Sequence, residues 1–252
     1  MNDTDALPEV PPAFRWVDVG PLPALRCMPL DAIAPHLFTT RHLDPVTAAA
    51  ALGVAEERVW QLTQVHGDAF VVAEGNAPAV RPEADALITN DRSVALAVRA
   101  ADCVPLLMAD PRTGAVAAVH AGWRGTAARI GCEALDAMVK AFGTRPSDVV
   151  AAIGPAIAPC CYEVGPDLVD AFAAAGHERH LIDRWFQVRR DGKLRLDVPG
   201  ANRDQLVLAG VAKENVHVAN VCTAMNVDVL TSYRAEKDRA GRIAGVIRPA
   251  QS

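Results

Sequence analysis

Two kinds of apolar run alternate along the chain. Short stretches at 68–73, 93–98, 104–108, 115–120, 149–153, 194–197, 216–221 and 243–247 are rich in Val, Ile, Leu and Ala and predict strands. Several lack any polar alternation, the mark of a strand covered on both faces. Helical spacing lies between them. Asp44-Pro45 opens a short segment that Gly53 closes, an Asp cap with Pro at the first helical position. The span 126–142 places Leu135, Met138, Val139 and Phe142 on one stripe and stops at Gly143. Gly165-Pro166 opens another segment, with Leu168, Phe172 and Ala175 on one face up to Gly176, and 202–209 before Gly210 has the same form. These elements predict a mixed α/β protein, with sheets sandwiched between helices or packed on each other with helices outside.

No internal repeat, Gly/Ser linker or charge block divides the 252 residues, so one domain is expected. With 51% hydrophobic and 22% charged residues the chain can build a sizeable core without disulfides, and global disorder is excluded. A formal charge of -5, with no basic run longer than Arg189-Arg190, argues against a nucleic-acid partner and for a small-molecule substrate. Asp3, Asp5 and Glu9 argue against a signal peptide, and Arg99 and Asp102 interrupt the most apolar stretch before it reaches a membrane span. A cytoplasmic protein, monomeric or weakly self-associating, is the expectation. Its six cysteines, with no CxxC pair, then read as thiols, ligands or nucleophiles.

Three segments join His or Cys to predicted strand ends: QVHG at 64–67, ADC at 101–103 and VHAGWRGT at 119–126. Loops above a rigid sheet present functional side chains. Imidazole, thiolate and imidazole suit Zn(II), and three protein ligands leave a fourth position open, the catalytic pattern. Spacings of 37 and then 17 residues are too wide for a zinc finger, so the fold must bring the set together. A second chemistry uses Cys103 as a nucleophile with His120 or His66 as base, and the residues alone leave both open. Gly122, Gly125 and Thr126 suggest a helix start, capped by Thr126, whose free N–H groups face the same site, and Arg124 adds a fork for phosphate or carboxylate. A dense Gly/Pro segment at 154–165 holds Cys160 and Cys161, read as buried thiols, and Tyr162. His177 and His180 read as solvated.

QVHG, ADALITN at 84–90, ADCVPLL at 101–107, AVHAGWRGT at 118–126, GPAIAPCCYEVG at 154–165 and SYR with AGRIAG over 232–245 together resemble the YfiH-like, laccase-domain family. Its members have been described as multicopper polyphenol oxidases and as purine nucleoside phosphorylases with adenosine deaminase activity. The resemblance spans 36–247 and implies one domain of layered α/β/β/α architecture over 36–252, with an N-terminal segment at 1–35 packed on it or partly flexible. It also implies a zinc site on His66, Cys103 and His120 and an arginine, Arg41 in 37–41, facing the pocket. The chain departs from the family pattern after Arg41, where His42-Leu43-Asp44-Pro45 shortens a loop, and at Ala235, where a second arginine is usual. The catalytic candidates are Arg124, Asp102 and Arg41, and the substrate-binding candidates Arg41, Gln64, Arg124 and Tyr162.

The implied function is zinc-dependent phosphorolysis of adenosine, inosine or guanosine, with deamination of adenosine. The same family offers editing of a peptidoglycan precursor as an alternative. Copper-dependent polyphenol oxidation fits less well, because seven histidines with no HxH pair do not furnish a multinuclear copper cluster, although Cu(II) could occupy the same three ligands.

Overall fold

The computed structural model describes residues 7–251. The acidic start therefore lies, over 1–6, outside the described residues. In chain order the strands are β1 (Phe14–Val19), β2 (Leu22–Cys27), β3 (His36–Thr39), β4 (Val59–Trp60), β5 (Phe70–Val72), β6 (Ala86–Thr89), β7 (Ala95–Ala100), β8 (Val104–Ala109), β9 (Val116–Ala121), β10 (Val150–Ile153), β11 (Phe186–Val188), β12 (Leu194–Leu196), β13 (Val216–Val218) and β14 (Ile243–Ile247). The helices are α1 (Met28–Asp31), α2 (Pro45–Ala51), α3 (Trp123–Ala127), α4 (Ile130–Phe142), α5 (Pro166–Ala174), α6 (Arg179–Trp185), α7 (Val198–Leu208) and α8 (Tyr233–Glu236).

Among the described residues the strands form two six-stranded sheets, β1-β2-β3-β14-β7-β4 and β13-β10-β8-β9-β6-β5, and a small β11-β12 hairpin. Side-chain alternation explains their apolar runs. In β8, Leu106 and Met108 join a core with Leu135 and Met138 of α4, while Leu107 and Ala109 join a second core with Phe38, Leu96 and Val98 of the other sheet. In β7, Ala95 and Ala97 turn outward to a third core with Ala48 and Ala49 of α2. The layers are thus α2, sheet, sheet and the α3 to α7 group, a mixed α/β sandwich. Close approach of the sheets needs Gly154, where a Cβ would stand 2.4 Å from the Phe38 ring.

Differences from the sequence expectations have local causes. The predicted helix at 126–142 is two helices, α3 and α4, parted by Arg129 in the left-handed region (φ 61°). Its guanidinium donates to the carbonyls of Ala175 and Gly176 beyond α5, at 2.8 and 3.0 Å, which fixes the break. Thr126 therefore does not cap the long helix; it is buried and accepts from Asn202 Nδ2 at 2.9 Å. Helix α7 begins at Val198 rather than 202, since Asp197 accepts from Gly200 N at 2.9 Å and Pro199 occupies the first turn. Strand β13 stops at Val218, short of the predicted 221, before Asn220 at φ 54°. His177 is buried rather than solvated, with Nε2 2.8 Å from the Ala127 carbonyl oxygen and its ring beside Phe172 and Trp185.

His36 of β3 gives the fold a pH dependence. It is fully buried, its Nε2 accepts from Cys27 N at 2.9 Å, and its Nδ1 donates to the Ala34 carbonyl at 3.1 Å, a pattern only the neutral ring satisfies. Burial brings it from 6.5 down to about 4 against the pull of the Ala34 carbonyl and Asp31; the Arg26 charge adds to the drop. Between these values the unfolded chain binds the proton and the folded one does not, so stability is level above the unfolded value and falls with pH down to about 4, by roughly 3 kcal/mol in all. Urea midpoints from about pH 7 to about pH 4.5 should fall more steeply for the natural protein than for His36→Gln. Parallel curves would show that His36 takes no part.

Candidate functional site

Strand register assembles a cluster at one sheet edge. Cys103 immediately precedes β8, whose Val104 pairs with Ala121 and Pro105 with His120 of β9, so Cys103 lies beside Gly122. Asp85 immediately precedes β6, and its carbonyl accepts the His120 N–H at 2.8 Å. His66 lies shortly before β5, which pairs in parallel with β6. One ligand atom each of His66, Cys103 and His120 lies within 4.8 Å of the others, and the two imidazoles meet edge to face at 4.9 Å.

Asp85 organises the set. One carboxylate oxygen accepts the backbone N–H groups of Val65 and Gly67 at 3.1 and 2.8 Å, and the other lies 2.8 Å from His120 Nδ1. This leaves His120 Nε2 for the ligand side, the outer-shell arrangement usual behind a metal-binding imidazole. Burial works to raise the Asp85 carboxyl, yet the hydrogen bonds from His120 and Gly67 hold it below its ordinary value. Burial likewise opposes ionisation of Cys103, but the facing His120 and His66 bring the thiol down to about 7. His120 is raised to about 9, its burial outweighed by Asp85 and Cys103. His66 itself (φ 62°) and Asp102 (φ 88°), next to Cys103, hold left-handed backbone conformations that non-glycine residues seldom adopt. At Gly122 a Cβ would stand 3.0 Å from Cys103 Sγ and 3.1 Å from His66 Cδ2, so the bare backbone keeps the ligand space open. Two imidazoles, one of them held by Asp85, and a thiolate with an open side fit an N/S-coordinated metal ion.

His66, Cys103 and His120 share a cavity of about 860 Å³, within the range of small-molecule sites. Arg81, Arg99, Arg234, Lys237 and Arg242 also line it, against a single acid, Asp102. That acid is committed internally, accepting from Thr223 Oγ1 and Arg234 N, both at 2.6 Å. Burial and the charges of Arg81 and Arg242 depress Arg99, so both of these cavity-lining guanidinium groups act on it. A chain of net charge -5 has thus gathered cations around one cavity.

Residues 45–250 match the family model described as multi-copper polyphenol oxidoreductase laccase. The chain belongs to this family. A purine nucleoside phosphorylase of Deinococcus radiodurans is 40% identical over 250 residues, covering 90% of this chain and 92% of that protein. Adenosine deaminase RL5, from an unknown prokaryotic organism, is 36% identical over 165 residues, covering 65% of this chain and 62% of that protein. The crystal structure of Bacillus licheniformis protein YfiH superposes with a TM-score of 0.82 at 25% identity, over 90% of this chain and 96% of that one.

In this laccase-family chain the predicted ligands converge, and Asp102, Gln64 and Tyr162 line the same cavity. Gln64 turns its amide to the β7 backbone, donating to the Arg99 carbonyl at 2.7 Å and accepting the Arg99 N–H at 2.8 Å. Tyr162 lies under Arg234, whose Cζ is 5.2 Å from its ring, and burial together with the Cys103 charge pushes its phenol up to about 12. Arg41 and Arg124 are not among the residues lining the cavity. Arg41 pairs with Glu236 at 3.0 Å and donates to the Val227 carbonyl, while exposed Arg124 stacks over Trp123 at 4.2 Å. The N–H groups after Gly122 belong to the short helix α3, so the long helix α4 does not point its start at the site.

Sequence reasoning missed Asp85 and the basic wall. A lone carboxylate in the apolar run Ala84-Asp85-Ala86-Leu87-Ile88 was the available signal for the first. Nothing local marked the second.

Proposed function

We propose that this chain is a metal-dependent enzyme of purine nucleosides, with zinc on His66, Cys103 and His120, and that its principal reaction is phosphorolysis. The observation that carries this reading is the basic wall beside the ligand set: five cations facing one internally committed acid suit a phosphate co-substrate, which deamination does not need. The names of the Deinococcus and RL5 relatives support the nucleoside class, and the second supports deamination of adenosine as a further activity of the same ligand set.

When bound, zinc supplies Lewis acidity to a water molecule or a substrate group at its open position. The chain's own residues do the rest. Asp85 keeps the His120 proton on Nδ1, Gly122 leaves room beside Cys103 and His66, and Tyr162 with Trp123 offers ring surface to a base or ribose. Arg81, Arg99 and Arg242 would hold and orient the phosphate so that one of its oxygens bonds to the anomeric carbon of the ribose as the bond to the purine nitrogen breaks, the base leaving with the electron pair and taking a proton from water.

Incubation of purified protein with adenosine, with and without phosphate, tests the assignment. Adenine and ribose 1-phosphate are expected only when phosphate is present; inosine in both buffers would favour deamination alone, and no product in either would favour precursor editing. Arg242→Ala and Arg81→Ala should each raise KM for phosphate about tenfold, with a smaller change in kcat, through loss of a charge-assisted contact. Arg124→Ala should have the smaller effect, because its guanidinium covers Trp123. An unchanged phosphate KM in both cavity variants would remove the anion from this wall.

A further inference from the structure

A second group of ligand-type side chains stands apart from the cavity. Cys160 and Cys161 follow Pro159 in the loop after β10, and Cys222 lies after β13; the three sulfurs are within 4.8 Å of one another, with those of Cys160 and Cys161 3.4 Å apart. All three are free thiols, and none lines the cavity. Contrary to the expectation of buried thiols, Cys160 is exposed and Cys161 half-buried, while Cys222 is buried, so the group is open on one side.

Backbone pairing fixes this arrangement. Ala156 N donates to the Val221 carbonyl at 3.2 Å and Thr223 N to the Ala156 carbonyl at 3.1 Å, stitching the two cysteine-bearing segments together. The Ala158 N–H points at Cys222 Sγ from 3.4 Å, a donor that supports negative charge on sulfur. Sequence neighbours rarely close a relaxed disulfide, so Cys160 and Cys161 are better suited to share a ligand than to bond to each other. Three sulfur donors with no nitrogen or oxygen among them select soft ions.

We propose that Cys160, Cys161 and Cys222 form a second metal site, distinct from the His66, Cys103 and His120 set, which takes a thiophilic d10 cation. Monovalent copper is the best match, since three thiolates complete its coordination, whereas Zn(II) would need a fourth ligand from solvent. Binding moves no electrons: each thiol that ligates the ion gives its proton to water. Burial, above all, pushes Cys161 up to about 12 and raises Cys160 too, and a bound cation would displace their protons. An ion here would tie the segment carrying Tyr162 to the one carrying Thr223, which holds Asp102 by its hydroxyl.

The test uses the full-length protein, reduced and oxygen-free, with the His66, Cys103 and His120 set intact. Cu(I) is supplied from a competing chelator to the natural protein and to the variant Cys160→Ser, Cys161→Ser, Cys222→Ser. The natural protein should retain about one more ion per chain than the variant, with ultraviolet sulfur-to-copper absorption and protection of those cysteines from a thiol reagent. Should the triple variant fail to fold by circular dichroism, Cys160→Ser alone, changed at the exposed thiol, should bind the extra ion at least about tenfold more weakly. A parallel Zn(II) titration separates the sources, and an extra equivalent of Zn(II) in place of Cu(I) would keep the site and assign it a divalent ion. Equal uptake of both ions by all proteins, or recovery of two of these cysteines as a disulfide from reducing buffer, would overturn the proposal.

Discussion

Cys103→Ser protein is expected to lose its metal while keeping its fold. Serine hydroxyl is a far poorer ligand for a borderline-soft ion than thiolate, and the site retains only His66 and His120. Metal affinity should drop by more than the roughly 10- to 100-fold that loss of an outer-shell partner costs, with activity partly recovered at high zinc. A nucleophilic Cys103 makes the opposite prediction: turnover abolished at full metal occupancy, and rapid alkylation of the sulfur in metal-loaded natural protein. Ion content and iodoacetamide labelling, measured on the same samples, decide between the two. The ligand outcome is the one expected, because both imidazoles face the Cys103 sulfur and Asp85 engages His120 Nδ1, which leaves Nε2 free for a ligand.

Asp85→Asn should be nearly as damaging, although Asp85 touches no substrate. The carboxylate accepts on both oxygens, from Val65 and Gly67 on one and His120 Nδ1 on the other. An amide keeps only one acceptor. With its oxygen on the two backbone groups, its NH₂ faces His120 and forces the ring proton to Nε2, the nitrogen proposed to hold the metal. Metal affinity and kcat/KM should fall about 10- to 100-fold, with pull on the 65–67 loop adding about 1 to 3 kcal/mol of destabilisation if a backbone donor is orphaned. Chelator competition read beside thermal unfolding separates the two effects. Unaltered affinity would reduce Asp85 to a loop anchor.

The residues differ in how plainly the chain announces them. His66, Cys103 and His120 could be read because each sits where a predicted strand meets a turn, and the strands themselves were legible where both faces are buried, as in β8, β9 and β14. Strands β1 and β2 escaped because their polar residues blur the period, β3 because it has only four residues with His and Thr at its ends, and β6 because it runs for only four residues after Asp85. Long-range contacts account for other gaps. The break between α3 and α4 rests on Arg129 reaching carbonyls at 175 and 176, and the orientation of Arg41 on Glu236 far along the chain. The basic wall draws Arg81, Arg99 and Arg242 from separate segments that only the sheet-edge geometry unites. Charge counted over the whole sequence, net acidic, concealed it.

Removal of the metal should abolish turnover, and its return should restore it. Protein dialysed against a strong chelator, checked by elemental analysis and still folded by circular dichroism, is assayed for phosphate-dependent release of adenine from adenosine as zinc is added back. Activity should vanish with the metal and return in proportion to the restored ion, levelling at about one equivalent per chain. Adenine released at the full rate by metal-free protein would show that the reaction needs no metal at His66, Cys103 and His120.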